Sequence, residues 1–397
     1  MRLLWFSFNH LRMFEEGVFE VDLYAQDKVF DGDETVTVLK KPVYTSNVIA
    51  FAGINASGKS VALRLFDMAL SLTEGRSTNE SPYVPKLLSA FDSAPRMQAL
   101  LWGKEGLFAL ETEFRFDEAS SSDGAPMRFV ITEEALIRVS ELHVKKSVLS
   151  LPFDKLVSMG KEVMRRSTLD RHQARFLKDD VSIISAWEDG TSRHTVLGAS
   201  GFSLSLYEGF DGLDEVLRTF DSSIEHLEVE DEGRAFSLKT SMMSEPKILS
   251  REGLTSVLSS GTVKGLIVVQ RAIGILRTGG FLLIDEIENH LNRQLVNVII
   301  DLFASAETNP HGATIVFTTH YPEVLDHVRR KDNVYFLTRS RGSRSAVVKY
   351  SSRVKRIENK KSEVFVSNFV TGTAPRYAEV AALRAYAIRS VGKQHGK

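Results

Sequence analysis

Gly53-Ile-Asn-Ala-Ser-Gly-Lys-Ser60 fills every position of the phosphate-loop pattern G-x-x-x-x-G-K-[ST], and few sequence features restrict a fold so sharply. Such a loop needs a buried strand before it and a helix after it. The apolar run Val48-Ile-Ala-Phe-Ala52 supplies the strand, and Val61–Leu70 reads as the helix. The backbone N–H groups of Gly53, Asn55, Ala56, Ser57 and Gly58 then form a cradle for phosphate oxygens at a positive helix N-terminus. Lys59 is placed to bridge β- and γ-phosphates, and the Ser60 hydroxyl to ligate Mg2+. A plain Gly/Ser turn with a solvated lysine would require neither flank.

A second half-site lies more than two hundred residues on. Phe281-Leu-Leu-Ile-Asp-Glu286 reads as a buried parallel strand ending in two acids. Asp285 at the strand end is the expected Mg2+ holder, and Glu286 the group that orients and polarises an attacking water. Thr314-Ile-Val-Phe-Thr-Thr-His320 is another apolar strand, ending in a histidine. Polar groups that converge at the carboxyl ends of parallel strands form sites, so His320 is expected to help orient the water and Glu286.

Leu258-Ser-Ser-Gly-Thr262 precedes the acid-tipped strand by one helix, expected over Val263–Leu276. It resembles the signature motif of ABC-class ATPases, with Ser-Ser-Gly standing for Ser-Gly-Gly. The order phosphate loop, signature, acid pair and switch histidine is that of the class. Glu288-Asn-His-Leu-Asn292 resembles its D-loop in the compact AAA-type members of RecF and OLD kinship, with Asn for the final His. Phe8-Asn-His-Leu-Arg-Met-Phe14 resembles the N-terminal strand and turn of RecF and SMC heads, which implies that Arg12 and Phe14 approach the nucleotide; a surface arginine and a core aromatic are the equal alternative. The resemblance implies ATP and Mg2+ as cofactors and a head-to-head homodimer. Ser259, Ser260 and Gly261 would then cap the γ-phosphate held by the partner's loop. Gln98 is the nearest candidate by order for the class's Q-loop glutamine.

The resulting fold class is α/β: an ABC-type head with a mostly parallel sheet, an N-terminal antiparallel β layer and an inserted helical lobe. Arg2–Phe8, Val18–Tyr24 and Thr35–Leu39 read as strands of that layer. Leu107–Phe116 and Met127–Ile131 read as a hairpin about the tip Ala119–Ala125, with a helix or turn starting at Thr132-Glu-Glu-Ala135. Four stretches follow: 1–142 and 221–338 as the two parts of the core, 143–220 as a mixed, largely helical lobe, and 339–397 as a basic tail. Within the lobe, Val181–Trp187 reads as a strand. No sustained heptad repeat suggests a coiled-coil arm.

Net charge is −1, so any contact with nucleic acid must come from a local patch. The chain has no cysteine, which removes disulfides and thiolate metal sites and fits a reducing compartment. No secretory leader and no membrane-spanning run is legible, and a cytoplasmic protein without membrane contact is expected. Arg339–Lys361 carries nine Lys/Arg against the single acid Glu358, with strands expected at Val347–Tyr350 and Arg353–Arg356. Such a patch suits nucleic-acid phosphates or an acidic partner, with a solvated hairpin as the equal alternative. About sixty residues follow Leu337, short for a TOPRIM-type nuclease, and they hold no carboxylate cluster for nuclease metals. The compact head resembles the AbiLi/RloA-type ATPases of bacterial phage defence, which implies a separately encoded effector, a nuclease or toxin. A RecF/SMC-like repair ATPase and a nucleotide-locked scaffold without catalysis are the alternatives.

Overall fold

The computed structural model describes residues 1–117, 127–140, 144–187, 193–198, 213–289, 291–339, 344–355, 359–374 and 377–392. The expected hairpin tip 119–125, residue 290 and residue 356 lie outside the described residues.

The chain starts with β1 (Arg2–Phe8) and β2 (Phe19–Asp22), then makes a separate ribbon of β3 (Val36–Lys40) and β4 (Val43–Ser46). The third N-terminal strand therefore pairs with β4 and does not join the layer of β1. β5 (Val48–Gly53) feeds the phosphate loop, and Lys59–Thr73 is the helix after it. β6 (Arg96–Gly103), β7 (Gly106–Asp117), β8 (Arg128–Ser140) and β9 (Lys161–Arg165) complete an antiparallel sheet of order β2-β1-β6-β7-β8-β9. β10 (His194–Leu197) crosses to the other large sheet, and β11 (Ile224–Glu230), β12 (Ala235–Thr240) and β13 (Lys247–Ser250) form a small antiparallel sheet. β14 (Phe281–Ile284), β15 (Thr314–Thr319), β16 (Val334–Arg339) and β17 (Ser345–Lys349) complete the central sheet, ordered β10-β14-β15-β5-β16-β17. All of its pairings are parallel except the edge pair β16–β17.

Strands buried on both faces explain the continuous apolar runs read in the sequence. Along β5 the side chains alternate between two cores. Val48, Ala50 and Ala52 face one containing the helices Ser260–Thr278 and Arg293–Ala304. Ile49 and Phe51 face the other, with the helix Lys59–Thr73 and the antiparallel sheet. β14 divides likewise, Leu282 and Ile284 against Phe281 and Leu283. The molecule is thus layered helix, parallel sheet, helix plus antiparallel sheet.

Three local expectations are corrected. Thr132–Ala135 is interior to β8 and pairs with β7, so no helix starts there. The Glu134 carboxylate is buried and accepts from Thr112 Oγ1 (2.9 Å), Ser182 Oγ (2.7 Å) and Ile183 N (2.7 Å), which outweighs the helix propensity of Glu-Glu-Ala. Because Ser182 and Ile183 are tied to that carboxylate, the expected strand 181–187 becomes a helical turn, Ile184–Trp187. In the tail the first expected strand is β17, whereas Tyr350–Arg353 is helical. Tyr350, Ser351 and Val354 are buried, an i, i+1, i+4 set that one helical turn puts on one face, whereas a strand would send Tyr350 and Ser351 to opposite faces; Val354 N–H donates to Tyr350 O (2.9 Å). Of the expected lobe 143–220, the described residues give β9 to the antiparallel sheet and β10 to the parallel one, beside the short helices Phe153–Met159 and Arg171–Phe176. No helix among the described residues is long and apolar enough to cross a membrane.

Candidate nucleotide site

The phosphate loop has the backbone its sequence demands. Ala56 (φ 59°) and Gly58 (φ 98°) both take the left-handed region, and Gly58 caps the helix that begins at Lys59. A β-carbon on Gly53 would sit 2.6 Å from Leu337 O and collide with Ser57 Oγ, so only glycine lets β5 turn into the loop. Phe14 and Met13 lie directly beneath Gly58, where a β-carbon would come within 3.3 and 3.0 Å of them. Phe14 is fully buried, so it supports the loop from the core. Arg12 is turned away and pairs with Asp92 (2.9 Å).

Lys59 is almost wholly buried, and its ammonium donates to Gly53 O (2.8 Å) and Ile54 O (3.0 Å). Burial pulls its pKa below the ordinary value, opposed by the negative field of Glu286, Asp285 and Glu288. The same acids hold the cation at the loop.

Strand register brings the second half-site beside the first. β14 pairs with β15 so that Ile284 faces Phe317, and the next residues, Asp285 and Thr318, meet beyond the pairing. Asp285 Oδ2 accepts from Ser60 Oγ (2.8 Å), and Oδ1 accepts from Thr318 Oγ1 (2.6 Å). A hydroxyl and a carboxylate oxygen in contact at a helix N-terminus form a hard-oxygen pair of the kind that suits Mg2+.

Glu286 takes a left-handed backbone (φ 52°), unusual for a non-glycine residue and typical of strain held at functional sites. Its N–H donates to Thr318 Oγ1 (2.7 Å), and Ile287 N–H donates to Thr318 O (3.0 Å). The carboxylate lies 2.8 Å from His320 Nε2 and accepts from Asn289 Nδ2 (2.5 Å). The bond from His320, ahead of that from Asn289 and against the effect of burial, holds the Glu286 carboxyl below its ordinary 4.5. It is therefore ionised at neutral pH and able to accept a proton. His320 is anchored in turn by its own N–H, which donates to Glu288 Oε1 (2.5 Å).

Ser60, Asp285, Glu286, His320 and Lys59 thus lie together at the carboxyl ends of β5, β14 and β15. Ser259 is the N-cap of the helix Ser260–Thr278, its Oγ accepting from Thr262 N (3.0 Å). Ser259 and Ser260 lie on the exposed surface, and no recorded hydrogen bond among the described residues joins Ser259–Gly261 to the chain's own phosphate loop. Gln98 is corrected: it lies in β6 of the antiparallel sheet and donates to Glu111 (3.0 Å).

Sequence reading missed Thr318, which positions both acids at once. Its signal was present: a polar Thr-Thr-His end on an apolar strand, with Thr318 and His320 on one face. Thr318→Val keeps shape and removes the hydroxyl, leaving Glu286 N–H without its partner in a buried setting, a loss of about 1–3 kcal/mol. Hydrolysis by this variant should fall about tenfold or more, with Mg2+ dependence shifted to higher concentration, and Thr318→Ser should restore both. A Mg2+ titration of the ATPase rate checks this; an unshifted titration removes Thr318 from the positioning of Asp285.

Residues 243–326 span the signature-like segment, both acids and His320. They match the family model described as "AAA domain, putative AbiEii toxin, Type IV TA system". Curated proteins give no match to the chain. Among solved structures the chain is similar to the SMC head domain from Thermotoga maritima, at 12% identity and a TM-score of 0.40, over 88% of this chain and 99% of that one.

Proposed function

We propose that this P-loop protein is a Mg2+-dependent ATPase whose two copies close head to head around two ATP molecules. The observation that carries the reading is the contact chain Ser60–Asp285–Thr318–Glu286–His320, which couples a metal-binding pair to an ionised, oriented carboxylate. Bound Mg2+ would supply charge neutralisation on the phosphates, with Ser60 and Asp285 as its protein ligands. Glu286 orients an attacking water and takes its proton, while His320 fixes the carboxylate's direction. Lys59 and the loop N–H groups stabilise charge on the transferring phosphoryl group. The exposed Ser259–Gly261 helix start suits capping of the partner's γ-phosphate, which makes ATP part of the dimer interface.

At the cellular level the protein serves as the ATPase and sensor component of an anti-phage, abortive-infection system that controls a separately encoded effector. The matched family's description, which refers to the AbiEii toxin and a type IV TA system, supports this, as does the compact head. The ionised Glu286 argues against the nucleotide-locked scaffold.

Lys59→Ala tests both levels. It removes a buried cation from the loop, and ATP affinity should fall at least about tenfold, since hydrogen bonds to charged groups contribute about 1.5–3 kcal/mol. Calorimetry on the folded variant reads the binding, and plaque counts in a host carrying the gene with its neighbours read the protection. Unchanged ATP binding rejects the site. Lost ATP binding with full protection rejects the ATP-dependent sensor role, and neighbours dedicated to replication or repair would reject the defence setting.

A further inference from the structure

The phosphate loop lies at the carboxyl ends of the central strands, where one cation of the basic tail, Arg339, donates to Ala56 O (3.5 Å). Part of that charge gathers at the opposite end. β16 runs parallel to β5 with Leu337 beside Gly53, so the segment 329–333 before β16 sits at the amino ends of the strands. There a cavity of about 460 Å³ is lined by Lys28, Phe30, Arg329, Lys331, Tyr350 and Lys361, together with acids discussed below.

Two features mark it. Phe30 is 66% exposed, a large apolar ring left in water on a loop, with Lys28 Nζ 5.0 Å from its centre. Three of the four acids that line it lie beside a cation, and the exposed Glu34 meets only a backbone N–H among the described residues. Asp33 and Asp332 both pair with Arg330 (2.8 and 2.7 Å), and Glu34 accepts from Ala306 N (3.4 Å). Asp27 lies 4.0 Å from Lys331, and nearby Asp326 accepts from Ser362 N (3.0 Å) and Ser362 Oγ (2.5 Å). Among the described residues no ion pair is recorded for Lys28, Arg329 or Lys361. Lys361 Nζ instead sits 6.0 Å from the Tyr350 ring. Lys331 donates to Lys355 O (2.9 Å), which ties the tail to this rim and carries the exposed Arg353, Lys355 and Lys360 close by.

We propose that this cavity is a single-stranded nucleic-acid site: Phe30 stacks on a base, and Lys28, Arg329 and Lys361 meet the flanking phosphates. An exposed ring among unpaired cations fits that chemistry, since every base offers a stacking face and the backbone supplies the anions. A rigid duplex keeps its bases stacked on each other and offers none to Phe30. The site is separate from the ATP site and does not depend on the proposed hydrolysis.

The test is fluorescence anisotropy with a labelled oligo(dT) of about 20 nucleotides, longer than a typical single-strand site. Wild-type protein should bind it more tightly than the duplex of the same length. Phe30→Ala should weaken binding about tenfold at fixed salt. Lys28→Ala and Arg329→Ala should each lower the slope of log affinity against log salt by about 0.7, the value for one lost phosphate contact on a single strand. All three variants should keep the parent melting temperature and ATPase rate. Absent oligo(dT) binding overturns the proposal. So does binding indifferent to Phe30 and the two cations, duplex binding of equal strength, or full displacement by free thymidine monophosphate, which would make this a small-molecule site. Lys59→Ala should leave oligo(dT) binding intact, so failure of the ATPase reading and failure of this one give opposite patterns.

Discussion

Glu286→Gln should bind ATP and Mg2+ as the parent does and hydrolyse ATP roughly 10²–10⁴-fold more slowly, the usual contribution of a general base. The substitution keeps the shape of the side chain, and the amide can still meet His320 and Asn289. It removes the ionised carboxylate that His320 and Asn289 orient to accept the proton of water. The variant should also accumulate as an ATP-held dimer, because the step that opens the interface is blocked. A single-turnover assay with gel filtration in ATP reads both effects. The pH dependence follows from the direction of the Glu286 shift. A base whose pKa lies below 4.5 is more than half deprotonated above that value and loses activity only as pH falls through its lowered pKa. Parent hydrolysis should therefore show no loss from Glu286 between pH 8 and about 6.5. A parent-like rate in Glu286→Gln would assign the base elsewhere.

Much of this site was legible because its chemistry sits on strands buried on both faces. Val48–Gly53, Phe281–Ile284 and Thr314–Thr319 have no polar side to break their apolar runs, so the residues that end them stand out. The phosphate loop adds a strict glycine pattern that geometry enforces at Gly53 and Gly58. Thr318 showed only as a polar end on an apolar strand, and its role in placing both acids depends on β14 and β15 being neighbours in register, a long-range fact that the local pattern does not carry. Glu134 misled for the same reason. Glu-Glu-Ala reads as helix until the buried carboxylate meets Thr112 and Ser182 from elsewhere in the chain. The tail misread came from treating alternating charge as a strand, when joint burial of the neighbours Tyr350 and Ser351 with Val354 fits a helical turn. Phe30, exposed among cations drawn from three separate segments, had no sequence signal beyond the basic run itself.

The central claim is that each ATP site is built from two chains, with Lys59, Ser60, Asp285, Glu286 and His320 on one and Ser259–Gly261 on the other. Mixing Lys59→Ala protein with Ser260→Arg protein tests it most directly. Each variant alone has both sites of its dimer broken, one through the loop and the other through the capping segment. In a mixed dimer the two defects fall in the same site and the other site is intact, as two-fold symmetry requires. Each protein alone should be inactive, and an equal mixture should recover up to about a quarter of the parent rate, from half the dimers carrying one good site of two. No recovery on mixing, or hydrolysis at the full rate by a strictly monomeric parent protein, would contradict the composite site.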